Sequence, residues 1–324
     1  MMTELLSVRN LVKHFPVRKG FWGGQKGVVH AVDNVSFGLA ENQTLGLVGE
    51  SGCGKSTTGF CLLRLIEPTA GEVLFDGQNI LSLKSEDMRV LRRKVQIIFQ
   101  DPFGALNPRM TVEQIIEEPL LNHEKLTREQ RRDRIMESLD MVGLLPEHMR
   151  RFPHEFSGGQ RQRICVARAL VLRPQVIIGD EPVSALDVSV QAQVLNLMAR
   201  LQKQLKLSYI FISHDLAVIR YISHRVAVMY LGQIVETAES GELYSHPLHP
   251  YTKALLSAAP VPNPNRKRQQ RTILRGDVPS PLNPPSGCRF HPRCPERMEI
   301  CSQELPVIHT VEAEHTVCCH LYAD

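Results

Sequence analysis

Gly49, Gly54, Lys55 and Ser56 in "GESGCGKST" fit the spacing G-x-x-x-x-G-K-[ST]. Glycines at such positions let successive backbone N–H groups turn inward around phosphate oxygens. Ser51, Gly52, Cys53 and Thr57 fill the rest of that loop and supply mainly backbone. Lys55 is placed to reach β- and γ-phosphates, and the Ser56 hydroxyl is a ligand for Mg²⁺. Leu45–Val48 reads as a buried strand before the loop. After it, Phe60, Leu63 and Ile66 recur at helical spacing, which predicts a helix from Lys55 to about Pro68.

Three further strand ends carry polar groups. "VIIGDEP" is a short apolar run closed by Asp180 and Glu181. A carboxylate at a strand's C-terminal end is where an α/β sheet gathers its ligand groups. Asp180 suits a hold on Mg²⁺, and Glu181 suits a general base toward water. "LSYIFISHD" ends at His214, and "QIIFQDP" ends at Gln100, whose amide could hold a Mg²⁺ water and an attacking water. The bland alternatives are a surface turn with two solvated acids for Asp180 and Glu181, a structural or solvated histidine for His214, and a plain polar strand end for Gln100. "EFSGGQRQRICVARAL" opens a second glycine-started helix at Ser157, Gly158, Gly159 and Gln160, with Ile164, Ala167 and Leu170 on one apolar stripe. That helix start is another anion site, and one nucleotide on one phosphate loop does not need both.

The elements that must position these groups follow an α/β rhythm of short apolar runs and helical patterns over residues 1–245. The chain has 324 residues, 43% apolar and 22% charged, with a net charge of +4. That suits a large soluble domain plus an appendage, and the charge is weak support for any polyanionic partner. No window approaches a membrane span, and the N-terminus lacks the apolar core of a secretory signal, so a cytosolic location is expected. Ten of the 21 prolines fall between Pro247 and Pro292. Such a stretch excludes long helix and central strand and reads as an extended linker, with "RKRQQR" at Arg266–Arg271 as a solvated basic loop. Five of the eight cysteines follow. In a reducing compartment they read as metal ligands before disulfides. Cys288, Cys294 and Cys301 are separated by five and six residues, wider than the usual zinc pairs, whereas a [4Fe–4S] cluster tolerates loop-borne spacings. Spacing alone leaves the fourth ligand open between Cys318 and Cys319. Either cofactor would pin a tail expected to have little core of its own.

Taken in order, the phosphate loop, Gln100, SGGQ, the DE pair, "SALD" (Ser184 to Asp187) and His214 resemble the nucleotide-binding subunits of ABC transporters over the whole chain. One departure is Phe156, where many members have Leu. The resemblance implies an α/β fold with a P-loop RecA-like core, an antiparallel β subdomain and a helical subdomain at about 101–173 that carries the signature. It implies an ATPase domain at 1–245 and a small Cys-rich C-terminal appendage at 246–324. It further implies a head-to-tail dimer with two ATP between the subunits. Ser157, Gly158, Gly159 and Gln160 would complete the partner's site and Asp187 would cross the interface. His214 would hold the γ-phosphate, Glu181 would polarise water, and Phe15 in "VKHFPV" would stack on adenine.

"HPLHPYTKALLSAAP" (His246 to Pro260) resembles the segment that follows the ATPase domain in peptide and nickel importers, and "GCRFHPRCPERMEIC" with "EHTVCCHL" resembles the end of the dipeptide and oligopeptide members. The implied protein is an ATPase subunit powering dipeptide or oligopeptide import, closest to the second of two ATPases. Its partners would be a second ABC ATPase subunit, two transmembrane permeases and an extracytoplasmic peptide-binding protein, with no nucleic acid. It would sit peripherally on the cytoplasmic face of the inner membrane. The family's ending makes Cys288, Cys294, Cys301 and Cys319 the ligands of a [4Fe–4S] cluster, with Zn²⁺ as the lesser possibility. A soluble ABC ATPase acting on ribosomes or DNA, an importer of nickel or another small solute, and a regulatory metal-binding subunit are the alternatives.

Overall fold

The computed structural model describes residues 4–19, 24–258, 274, 276–312 and 314–323. The basic run Arg266–Arg271, and most of the proline-rich linker around it, lies outside the described residues. The chain divides into two compact units. One comprises Leu39–Thr44 and Ser82–Ile212, the other Glu4–Gly38, Leu45–Leu81 and Ser213–Asp324.

In the first unit, strand Val176–Asp180 lies between Val95–Ile98 and Ser208–Ser213, parallel to both. Its run of Val176, Ile177 and Ile178 is fully buried, as are Tyr209 and Phe211 beside it. That continuous apolar run is what a parallel strand covered on both faces requires. Helices supply the rest. Val112–His123 and Arg128–Met141 open on Thr-x-x-Gln capping boxes, Thr111 with Gln114 and Thr127 with Gln130. In each box two of the helix's orphan N–H groups are satisfied reciprocally. Ser85–Lys94, Pro102–Ala105, Gly158–Leu170 and Val188–Leu205 are further helices of this unit.

In the second unit, Glu4–Lys19 pairs antiparallel with Ala70–Phe75 in a four-stranded sheet that also holds Gly24–Ala40 and Gln78–Asn79. Thr44–Val48 runs parallel to Arg225–Tyr230. A tight hairpin then leads to Gln233–Glu239, with Leu231 at φ 42° and Gly232 at φ 81°. Two successive positive φ values are the signature of a type I′ turn.

The C-terminal tail adds strands to that hairpin. His315–Cys318 pairs with Gln233–Glu239, Glu236 opposite Val317, and Ile308–Glu312 pairs with His315–Cys318 in turn. At the junction the buried carboxylate of Glu236 accepts from the Leu248 and His249 backbone N–H groups and meets His315 Nε2 at 2.8 Å. Phe290 is 1% exposed and packs edge-on against Tyr230. The tail is joined to the second unit, whose core takes in Phe290. Among the described residues no helix is long and apolar enough to cross a membrane.

The helix after the glycine loop is shorter than its periodicity predicts, ending at Leu62. Arg64 adopts φ 47°, the Leu65 N–H bonds the Phe60 carbonyl, and the Arg64 N–H bonds the Cys61 carbonyl. This is a Schellman termination. It spends the helix's last carbonyls, so Ile66 falls outside despite its spacing.

Candidate functional site: a phosphate loop, a signature helix and a cysteine-bearing tail

The glycine loop leaves the buried strand Thr44–Val48 and feeds the helix Lys55–Leu62. Two glycines are forced by contact. A Cβ on Gly49 would meet the Met229 carbonyl oxygen at 2.2 Å, and one on Gly54, at φ 106°, would meet the Ala31 carbonyl oxygen at 2.1 Å. Lys55 is 4% exposed, and its Nζ donates to the carbonyls of Gly49 and Glu50 at 2.8 and 3.0 Å. The ammonium thus sits inside the loop beside the N-terminus of the helix, an arrangement suited to an anion. Ser51 and Gly52 are exposed, Ser56 and Thr57 half-buried. Cys53 is buried, and burial pushes its thiol up while Lys55 pulls it down. Phe15 is half-buried with the Lys13 ammonium 4.8 Å from its ring, so it is not a core residue.

In the first unit Asp180 closes its strand at 5% exposure. Glu181 follows at φ 46°, with its N–H bonded to the Ile212 carbonyl. A left-handed glutamate costs about 1–3 kcal/mol, a strain that clusters at functional positions. Its carboxylate accepts from Gln100 Nε2 at 3.2 Å, so these two sequence candidates are in contact. Ser157 caps the helix Gly158–Leu170 in a capping box with Gln160. Gly159 lies against the next helix: a Cβ there would stand 2.3 Å from Val190 Cγ1. Phe156 is buried edge-on against His148, so the departure from Leu is absorbed by packing. Asp187 caps Val188–Leu205. The Ser189 hydroxyl and then the Val190 N–H hold its carboxyl below the usual range while it stays fully exposed. Beside it Val188 is 82% exposed.

In the second unit His214 is exposed directly after the strand Ser208–Ser213. Asp215 next to it caps the helix Leu216–Ile222 by accepting from the N–H groups of Ala217 and Val218.

All eight cysteines are free thiols. Gly287, at φ 61°, brings the backbone close enough for the Cys288 N–H to bond the Cys301 carbonyl at 2.9 Å. Burial pushes the Cys294 thiol up to about 11, and the Cys288, Cys319 and Cys301 thiols push the same way. Cys319 is likewise raised to about 11 by burial, with Cys288 and Cys301 next. These four thiols therefore feel one another. Burial pushes the Cys318 thiol up to about 12, with Cys288 and Cys319 acting the same way, and it donates to the Pro306 carbonyl at 3.2 Å. Among the described residues the one group of three possible ligands with donor atoms all within 4.8 Å is His14, His30 and Asp33, not a set of cysteines.

Three contacts in this unit carry no sequence signal. Arg293 pairs with Glu50 of the phosphate loop, Tyr251 accepts from the Glu50 N–H, and Arg289 pairs with Asp33. Each joins segments more than 190 residues apart except for their shared fold.

A glycine phosphate loop, a second glycine-opened helix and a strand-end DE pair define a P-loop ATPase of the ABC class. Residues 32–184 match the ABC transporter family, and residues 235–301 match the oligopeptide/dipeptide transporter C-terminal region. An oligopeptide transport ATP-binding protein of Bacillus subtilis is 53% identical over 324 residues, 98% of each chain. A probable peptide ABC transporter ATP-binding protein of Sinorhizobium fredii is 52% identical, over 100% of this chain and 91% of its own. An ATP-binding cassette solved as a dimer in a post-hydrolysis state with ADP and Pi has a TM-score of 0.64 at 28% identity, covering 72% of this chain and 98% of that one. The cbiO1 subunit of a Clostridium perfringens ABC transporter complex has a TM-score of 0.65 at 26% identity, covering 75% and 91%. The chain belongs to the ATP-binding subunits of ABC transporters, in the oligopeptide/dipeptide family. Its fold is accordingly the ABC ATPase fold, with an antiparallel sheet and helical parts, and its enzyme class is that of the ABC ATPases.

Proposed function

We propose that this chain hydrolyses ATP to drive import of dipeptides or oligopeptides through two separate permease subunits. It works as a peripheral subunit on the cytoplasmic face of the inner membrane, head-to-tail with a second, non-identical ATPase. An extracytoplasmic peptide-binding protein delivers the solute. The single observation that carries this reading is likeness to oligopeptide and peptide transport ATP-binding proteins over the full chain, tail included.

The loop Gly49–Thr57 receives the triphosphate and Phe15 the adenine. Ser56, Asp180 and Gln100 are the groups that would hold Mg²⁺, which supplies charge neutralisation of the phosphates when bound. Glu181 takes the proton of the attacking water, and the Gln100 amide donating to it keeps its carboxylate in place. His214 steadies the γ-phosphate. Ser157, Gly158, Gly159 and Gln160 serve the partner's nucleotide, and exposed Asp187 faces the partner. Residues 1–245 carry this chemistry, and 246–324 form the appendage.

Cys288, Cys294, Cys301 and Cys319 are the proposed ligands of a [4Fe–4S] cluster, with Zn²⁺ as the lesser occupant. Cys288, Cys294 and Cys301 are spaced by five and six residues, wider than the usual zinc pairs, which supports the larger cluster. The cluster would tie these four points of the chain together.

Reconstitution with the permeases and the second ATPase in proteoliposomes tests the function. ATP-dependent uptake of a labelled dipeptide is expected. Uptake of nickel but no peptide, or co-purification with ribosomes and not permeases, would overturn it.

A further inference from the structure

Arg293 stands one residue before Cys294 in the tail, yet its guanidinium reaches the phosphate loop. Nη1 donates to Glu50 Oε2 at 2.7 Å and Nη2 to Glu50 Oε1 at 3.1 Å. The Arg293 side chain is 8% exposed and that of Glu50 26%. A forked arginine–carboxylate pair fixes orientation as well as distance. Glu50 directly follows the first glycine of the loop, and its backbone is engaged on both sides. Its N–H donates to the Tyr251 hydroxyl oxygen at 2.9 Å, and its carbonyl accepts from Lys55 at 3.0 Å.

Tyr251 is fully buried on the helix Pro250–Ala258. Its ring meets Tyr230 at 4.7 Å and Phe290 at 5.4 Å between centroids. Phe290 belongs to the same short segment as Arg293, and Arg293 lies 6.0 Å over the Tyr230 ring. Side chain, amide and carbonyl of one loop residue are thus held by three groups, two of them from the C-terminal region.

The loop needs such bracing. Gly52 and Gly54 have positive φ and can visit many conformations, and ordering them on ligand binding would cost affinity. Lys55 cannot be the brace once it turns from the Gly49 and Glu50 carbonyls to a phosphate. Arg293 and Tyr251 hold Glu50 without drawing on the Lys55 ammonium.

We propose that Arg293 and Tyr251 are positioning residues for the phosphate loop, acting through Glu50, so that the fold of the cysteine-bearing segment sets the affinity for nucleotide. This rests on the reading of the loop as the ATP site and deepens it: nucleotide binding is linked to the tail through one ion pair.

The test is the ATP dissociation constant of the purified full chain, measured well below its unfolding temperature. Arg293→Ala and Glu50→Gln should each raise it about tenfold, within the usual span of coupling between linked sites. The double variant should be no weaker than either single one, because both remove the same contact. Arg293→Lys should fall between, since lysine restores the charge without the fork. Tyr251→Phe, which strips the acceptor from the Glu50 N–H, should weaken binding as well. In the assembled transporter, Arg293→Ala should raise KM for ATP while kcat at saturation stays within about twofold, the mark of lost ground-state binding. If Arg293→Ala unfolds the tail, Glu50→Gln and Tyr251→Phe still decide. Unchanged affinity in Glu50→Gln and Tyr251→Phe, or strictly additive effects in the double variant, would overturn the inference while leaving the ATP-site reading intact. A wild-type chain that binds no ATP would overturn both.

Discussion

Gly159→Ala should destabilise the protein although alanine is the better helix former. The new Cβ would lie 2.3 Å from Val190 Cγ1, closer than any real Cβ contact, and 3.7 Å from Val190 Cβ. Helix propensity favours alanine by about 1 kcal/mol. Forcing a methyl into a packed contact costs about 1–3 kcal/mol, and here the neighbour is poorly free to yield. Val190 sits in the first turn of its helix with its N–H on the Asp187 carboxylate, so shifting it also pulls on that cap. The net loss should be about 1–2 kcal/mol, or about 2–8 °C in Tm for a domain of this size. Urea denaturation followed by circular dichroism reads it. Val190→Ala leaves only the 3.7 Å contact, so adding Gly159→Ala to that background should cost nothing or stabilise. A Gly159→Ala variant as stable as the parent, or one equally destabilised in the Val190→Ala background, would refute the packing argument.

Three further outcomes follow from the same reasoning. Burial holds the His249 imidazole down to about 3, with Lys253 acting the same way, against an ordinary 6.5. Below about pH 6.5 the unfolded chain takes a proton that the folded one refuses, so stability should fall from there toward pH 3. His249→Gln should flatten that fall in an acid-denaturation series, and an unchanged slope would count against it. Anaerobically prepared protein should contain iron, about four atoms per chain, as a thiolate-ligated [4Fe–4S] cluster requires. Cys319→Ser should lose most of that iron and Cys318→Ser should keep it; a colourless protein with one zinc would contradict the cluster. Glu236→Gln should cost about 3 kcal/mol or more in denaturation experiments, because a buried carboxylate meeting three donors is lost; a loss below about 1 kcal/mol would contradict the anchoring role given to it.

The phosphate loop was legible because its spacing, strand and helix are all local: three independent features within some twenty residues point one way. The glycine-opened helix start at Ser157–Gln160 was readable for the same reason. The end of the helix after the loop was not, because a Schellman turn at Arg64 overrode an apolar periodicity that continued to Ile66. Least visible was the tail. Nothing in the sequence near Arg293 indicates a partner at Glu50, because that pairing depends on the fold that also buries Phe290 in the core of the second unit. The contact between Gln100 and Glu181 was likewise invisible as a contact, though both were singled out as strand-end polar residues. Long-range pairing leaves no local pattern, and that is where sequence reading stopped.

The central claim is that Glu181 performs the hydrolytic step at an ATP site built on this chain. Glu181→Gln keeps an acceptor for the Gln100 amide but removes the base. In the reconstituted transporter, ATP affinity should stay within about twofold of the parent while turnover falls by about a hundredfold or more. Turnover at the parental rate in that variant would contradict the account.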